Sequence, residues 1–257
     1  MTKPVCLVIG AGAGIGGNVA KKFALEGYHS FLCRRSDEEG LNKLVSKITE
    51  AGGSASGRLV NAIEDNAIED LVEDIEANVG PIEVVIYNLG AQIGNRPLAV
   101  TPHKTFEMGW RLGTFGLYRL AYALTPLMEA RGHGAILVTS ATSAMRGNRG
   151  QHSHAAAMGG RRMLCQSLNA EFAPKGIHVA HILIDGAVDA PDTLGKILGP
   201  ERFKELRDSR GGEHDGLMLP EKIAETYFHI ASQHRSVWTH ELDLRAFSDK
   251  AWWNHEG

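Results

Sequence analysis

The sequence has little that would direct it to a metal, a membrane or a nucleic acid. Only three cysteines occur in 257 residues, Cys6, Cys33 and Cys165, each in an apolar setting and none at metal-ligand spacing. An odd set this widely spread makes a poor disulfide framework, so buried thiols in a reducing compartment are expected, and no metal site is. No apolar run approaches the roughly 20 residues that a bilayer span needs. No basic stretch followed by a long apolar core opens the chain. Neither sign of charge is in excess: 27 basic and 30 acidic side chains leave a formal net charge of -3. The clusters Arg34-Arg35 and Arg161-Arg162 are too small to make a nucleic-acid or acidic-membrane surface. Repeats and linkers are lacking too. These absences predict a cytoplasmic, soluble protein whose ligand is a small molecule, with no nucleic-acid and no membrane partner.

What the chain does have is a glycine cluster at a telling place. The apolar run Val5 to Ile9 leads into Gly10-Ala11-Gly12-Ala13-Gly14-Ile15-Gly16, and a helix-forming stretch begins at about Gly17. A buried strand, a tight turn and a helix N-terminus follow one another there. Glycines allow the sharp reversal and the close approach of backbone to a ligand. The helix end then offers unpaired N–H groups and positive dipole to a pyrophosphate. A G-x-G-x-x-G pattern does not fit, because Ile15 stands where its third glycine would fall; Gly10, Gly14 and Gly16 fit G-x-x-x-G-x-G.

Further along, strands are expected at 29–33, 55–60, 82–87, 134–139, 177–184 and 241–245, and helices at 37–51, 65–78, 102–130, 153–173 and 220–232. The segment 187–218 is polar and only partly helical. Strand and helix alternate throughout, which predicts one α/β domain over 1–257, doubly wound and Rossmann-type, with a parallel sheet of about seven strands and an insertion at 187–218. In such sheets the ligand lies beyond the carboxyl ends of the strands.

The glycine pattern resembles that of the short-chain dehydrogenase/reductase family. Tyr87-Asn88-Leu89-Gly90 is similar to the family's Asn-Asn-Ala-Gly, Asp185-Gly186 stands where it has Pro-Gly, and Pro126-Leu127-Met128 and Lys175 to Val179 resemble its later signatures. The resemblance spans about residues 4 to 245. It implies a nicotinamide dinucleotide held by Gly10, Gly14, Ile15, Gly16, Asn88 and Gly90, an adenine pocket at Asn61-Ala62, and a homo-dimer or homo-tetramer built on the long fourth and fifth helices. Where NAD-selective members carry an acid after the second strand, this chain has Arg34-Arg35-Ser36. Guanidinium groups favour a 2′-phosphate, so NADP is expected rather than NAD.

The resemblance also implies an Asn, Ser, Tyr and Lys set, and here the chain departs from it. Alignment puts Gly113, Ala141, His154 and Met158 at those four positions. His154 is the candidate proton donor or base, since imidazole exchanges protons near neutrality. Ser140, with Thr142 or Ser143 as alternatives, could supply the hydroxyl lost at Ala141. His152 reads as a loop residue, His178, His181 and Arg162 as packing, surface or interface residues, and Trp252-Trp253 as a cover for a core edge or a subunit contact. Three readings follow: an NADP(H)-linked oxidoreductase with an atypical site, a silent dinucleotide-binding protein, or non-redox chemistry beside a bound cofactor.

Overall fold

The structure is a computed structural model that describes residues 2–90 and 96–254. Seven parallel strands form its sheet in the order β3-β2-β1-β4-β5-β6-β7. They are β1 (Val5–Ile9), β2 (His29–Arg34), β3 (Ser54–Leu59), β4 (Ile82–Tyr87), β5 (Gly134–Ala141), β6 (Ile177–Ile184) and β7 (Glu241–Leu244). The strand count and the parallel, doubly wound architecture are as the sequence predicts.

Every residue of β1 is buried, which the apolar run Val-Cys-Leu-Val-Ile explains, because both faces of a central parallel strand are covered by helices. Side chains alternate across the sheet. Val5, Leu7 and Ile9 pack with α3 (Ala67–Asn78), α5 (Gly116–Arg131) and α6 (His152–Phe172) on one face. Cys6 and Val8 pack with α1 (Ile15–Leu25), α2 (Glu38–Glu50) and α9 (Pro220–Ala231) on the other. Full burial of one such aliphatic side chain contributes roughly 1.5–3 kcal/mol, so the two faces together hold the layers. All three cysteines are free and buried, as expected.

β1 pairs with β2 on one side and β4 on the other, aligning Ile9 with both Cys33 and Tyr87. The order of strands reverses there, and the carboxyl ends beside such a switch point are where sheets of this kind hold a ligand.

The stretch expected as one helix over 102–130 is α4 (His103–Trp110), a π-turn at Arg111–Phe115, and α5. The π-turn has visible causes. Tyr87 Oη donates to the Leu112 carbonyl at 2.5 Å and Arg161 Nε to that of Gly113 at 2.7 Å, while Thr114 Oγ1 donates to Ala157 O at 2.7 Å. Side chains from β4 and α6 thus hold carbonyls out of the α-helical ladder. Such turns concentrate at functional sites.

The segment 187–218 closes on itself. Met218 N donates to Ala187 O and Asp189 N to Met218 O, both at 2.9 Å. Within it lie a π-turn at Pro191–Gly195, a single turn α7 (Lys196–Leu198) and the helix α8 (Pro200–Arg210). Asp189 and Arg207 pair at 2.7 Å, and Arg210 reaches Asp249 at 2.7 Å.

Candidate active site

The glycine turn is held by its own backbone. Gly10 adopts φ +94°, a left-handed conformation that disfavours any side chain. A Cβ at Gly16 would run into the Gly10 carbonyl. Asn88 locks the turn to β4, donating from Nδ2 to Gly10 O at 2.8 Å while its amide donates to Ile9 O at 2.8 Å. Gly10, Gly16 and Asn88 therefore meet at one turn, with Ile15 opening α1 and Gly90 exposed just beyond Asn88. Gly14 sits at the N-cap of α1 without a side-chain cap, and the first turn of that helix carries no acidic residue. Such an end accepts an anion.

At the end of β2, Arg34 is half-buried and Arg35 exposed. Arg34 is not a free cation: its Nη2 lies 2.9 Å from Asp37 Oδ2. Asp37 caps α2 by accepting from Gly40 N at 2.9 Å. That amide, more than Arg34, holds the Asp37 carboxyl below the usual range. Beyond β3, Ala62 is buried, and Asn61 donates from Nδ2 to Glu64 Oε1 at 2.8 Å. Asn61 Oδ1 is buried without a partner. It is an acceptor waiting for a donor, and an adenine amino group is one. Arg119 fixes this turn from α5 by donating to the carbonyls of Ala62 and Glu64 at 3.2 and 2.8 Å, with Glu69 neutralising it. The residues present therefore fit a phosphorylated adenine dinucleotide: an uncapped helix end, an arginine at the next strand end and an orphaned acceptor at the third.

Ser140 and His154 are both buried, Ser140 near the end of β5 and His154 in the first turn of α6. Ser140 Oγ donates weakly to Met158 Sδ at 3.9 Å, and Met158 lies one turn along α6 from His154. Ala141 packs on Met158. Of the alternatives for the hydroxyl, Ser143 is buried and donates to Gln151 Oε1, the residue capping α6, at 3.2 Å. His152 is not in a loop; it is the first residue of α6 and lines a small cleft with His154, Arg96 and Thr105.

Three features went unread in the sequence. Ala190 and Thr193 lie against Gly14, so the inserted segment roofs the glycine turn. Asp185 accepts from Arg245 Nε at 2.8 Å and from the Trp252 amide at 3.0 Å, and Arg146 Nη1 donates to Trp252 O at 2.7 Å. The C-terminal segment is thereby tied to the ends of β5 and β6. Arg161 is 1 % exposed and points into the core. Its signal was legible: residues 154, 158, 161, 165 and 168 recur at helical core spacing, and one of them is an arginine. Arg162, by contrast, is a partly exposed residue engaged by Glu241 at 2.7 and 2.8 Å.

A parallel sheet with a glycine turn at its switch point, an uncapped helix end after it and an arginine at the next strand end defines the α/β dinucleotide-binding class of fold. The short chain dehydrogenase family matches residues 4–193, and the chain belongs to that family of oxidoreductases. The short-chain reductase protein NovJ of Streptomyces niveus is 29% identical over 230 residues, covering 88% of this chain and 86% of its own. The 7alpha-hydroxysteroid dehydrogenase of Escherichia coli (strain K12) is 26% identical over 195 residues, 76% and 74% of the two chains. A short-chain dehydrogenase from Rhodopseudomonas palustris superposes with a TM-score of 0.78 at 32% identity, covering 95% of this chain and 99% of that one. A metagenomic short-chain oxidoreductase in complex with NADP shares the fold at 21% identity and a TM-score of 0.78, covering 95% and 96%. No helix among the described residues is long and apolar enough to cross a membrane.

Proposed function

We propose that the protein is an NADP(H)-dependent oxidoreductase acting on a small carbonyl or alcohol, with an atypical site in which His154 exchanges the proton and Ser140 orients the substrate oxygen. The observation that carries the cofactor half is Arg34 at the carboxyl end of β2, next to Cys33, whose carbonyl accepts from the Gly10 and Ala11 amides of the glycine turn. A guanidinium there recognises a 2′-phosphate by charge and paired donors. Gly10, Gly14, Ile15, Gly16, Arg34, Arg35, Asn61, Ala62, Asn88 and Gly90 would hold the nucleotide, which when bound supplies or accepts hydride. His154 gives a proton to the substrate oxygen in reduction, or takes one in oxidation. The Ser140 hydroxyl donates to that oxygen as charge develops on it. The C-terminal tie through Asp185 supports a reading of 187–218 and 245–254 as walls that exclude water.

Titration of the pure protein with NADPH and with NADH, following nicotinamide fluorescence, tests the cofactor half. Preferential NADPH binding that Arg34→Ala abolishes is expected. Binding of neither nucleotide would discard the reading.

The second reading, a silent dinucleotide-binding protein, is favoured by one contact: among the described residues the Ser140 hydroxyl donates to a thioether sulfur, that of Met158. Substrate-dependent NADPH oxidation by pure protein would exclude it.

The same proposal includes a single domain over 1–257, a cytoplasmic location and a homo-dimer or homo-tetramer. For the last, support comes from Trp110, Phe115, Tyr118 and Tyr122, whose rings stack in succession at centroid distances of 5.1, 6.1 and 6.2 Å. Tyr122 is 71% exposed, a cost that a second copy would remove. Light scattering on the purified protein reads the oligomer size.

A further inference from the structure

Arg161 is a cation where the helix calls for an apolar residue. The inner face of α6 runs through His154, Met158, Arg161, Cys165 and Leu168, and all five are buried. The guanidinium has no carboxylate among its partners in the described residues. It donates instead to three main-chain carbonyls: from Nε to Gly113 at 2.7 Å, from Nη1 to Thr139 at 2.5 Å and from Nη2 to Leu89 at 2.8 Å. The Tyr87 ring lies beneath it, 5.1 Å from Cζ.

Taking a charge out of water costs several kcal/mol, roughly, even where hydrogen bonds are good, and an apolar residue of similar volume is often the more stable choice. Stability alone therefore does not account for an arginine here. The three carbonyls show what it does. Leu89 follows Asn88, which locks the glycine turn. Thr139 precedes Ser140. Gly113 belongs to the π-turn that faces α6. One planar fork thus ties the loop after β4, the end of β5 and the break between α4 and α5 to the helix that carries His154. The carbonyl dipoles are fixed by the fork, and the charge is fixed by them.

We infer that Arg161 is the positioning residue of the active site: it sets the loop after β4, the Ser140 end of β5 and His154 in register, and it places one permanent positive charge at the carboxyl ends of β4 and β5. This rests on the nicotinamide reading above. The charge has a consequence of definite sign. A nicotinamide ring is neutral when reduced and cationic when oxidised, so a buried cation at this edge disfavours the oxidised form. Removing it should tighten NADP+ relative to NADPH.

The experiment compares wild type, Arg161→Lys and Arg161→Met. Arg161→Lys keeps the charge and loses the three-way fork; Arg161→Met loses both. Dissociation constants for NADPH and NADP+ are measured by fluorescence and calorimetry. Amide hydrogen exchange is followed at 88–90, 111–116 and 139–141. In Arg161→Met we expect NADPH affinity to fall at least tenfold and the preference for NADPH over NADP+ to drop about three- to tenfold, a small fraction of what a unit charge exerts at contact distance. In Arg161→Lys we expect weaker NADPH binding with the preference kept, and faster exchange in all three segments. An unchanged preference in Arg161→Met, or wild-type affinity and exchange in Arg161→Lys, overturns the inference. If Arg161→Met does not fold, Arg161→Lys decides by its affinity and exchange. If wild type binds neither nucleotide, the proposed function fails, and the exchange pattern of Arg161→Lys still decides whether the fork sets the three segments.

Discussion

The Arg34 guanidinium stands 2.9 Å from the Asp37 carboxylate, so the cation at the end of β2 already has a partner. That pair is also a local device. Asp37 holds a positive φ of 69° and caps α2 through Gly40 N, and Arg34 lies across the same turn. A 2′-phosphate would compete with Asp37 for the guanidinium. Arg34→Ala should weaken NADPH at least tenfold and leave NADH nearly unchanged. Asp37→Asn keeps the capping oxygen and removes the charge, so NADPH should bind about three- to tenfold tighter. Parallel titrations check both, and tighter NADH binding in Asp37→Asn would show that the pair does not select the phosphate.

The Ser140 hydroxyl on β5 meets the Met158 thioether, and His154 lies one turn before Met158 on α6. His154→Ala should lose turnover by about two to four orders of magnitude, the usual weight of a general acid or base, with NADPH binding kept. Ser140→Ala should cost about 10- to 100-fold if its hydroxyl orients the substrate oxygen, and Ser143→Ala much less, since Ser143 is engaged with Gln151. Steady-state rates beside nucleotide titrations separate these outcomes. A larger loss in Ser143→Ala than in Ser140→Ala would reassign the hydroxyl.

Asp185 stands where the family has a proline, and its carboxylate has found other work. It receives the Arg245 guanidinium and the Trp252 amide, which closes the C-terminal segment against the ends of β5 and β6. Asp185→Ala leaves the Arg245 guanidinium, at 24% side-chain exposure, with Asp243 alone, and the Trp252 amide without its acceptor. A cost of about 1–3 kcal/mol is expected. Tryptophan emission should shift to the red, and limited proteolysis should cut within 245–254. Wild-type emission and protection would mean that packing alone holds the segment.

The fold was readable because its signals are local and redundant. β1 is a continuous apolar run, β4 is broken only by Glu83 and β6 only by His178 and His181, as strands covered on both faces should be. Gly10 and Gly16 announce the turn for steric reasons that hold in any sequence context. The limits of the reading lie where distant residues decide. The π-turn at Arg111–Phe115 falls inside a good helical pattern and is set by Tyr87 and Arg161, 25 and 48 residues away from the carbonyls they engage. Nothing near Arg34 in sequence says that Asp37 would pair with it rather than face solvent, and the roof of Ala190 and Thr193 over Gly14 is a tertiary fact. Arg161 was legible in principle, since the spacing of 154, 158, 161, 165 and 168 makes it a core residue. Its charge argued for the surface, and three carbonyls from three elements reversed that.

The sheet edge at β6 and β7 carries a titration of definite sign. His181 is fully buried and donates from Nδ1 to Glu241 Oε2 at 3.0 Å, while Arg162 grips the same carboxylate at 2.7 Å. Glu241 accepts, so the neutral ring carries its proton on Nδ1 and leaves Nε2 bare, buried and without a partner. Burial dominates and pushes His181 down to about 4; Glu241 opposes the shift, and Arg161 and Arg162 add to it. The folded state therefore holds this ring neutral at pH values where the unfolded chain, with a histidine near 6.5, already binds a proton. Stability is fully present above about 6.5 and is lost as pH falls towards 4. His29 and His178 are also held low by burial and act with the same sign. Glu241, kept ionised chiefly by its hydrogen bonds from Arg162, adds a loss in the same direction at lower pH. Denaturant melts from pH 7.5 to 4.5 should show a decline of about 2 kcal/mol from His181 alone. His181→Gln keeps a donor for Glu241 and removes the titrating ring, so its profile should be flatter by that amount. Parallel profiles for variant and wild type would place the acid sensitivity elsewhere.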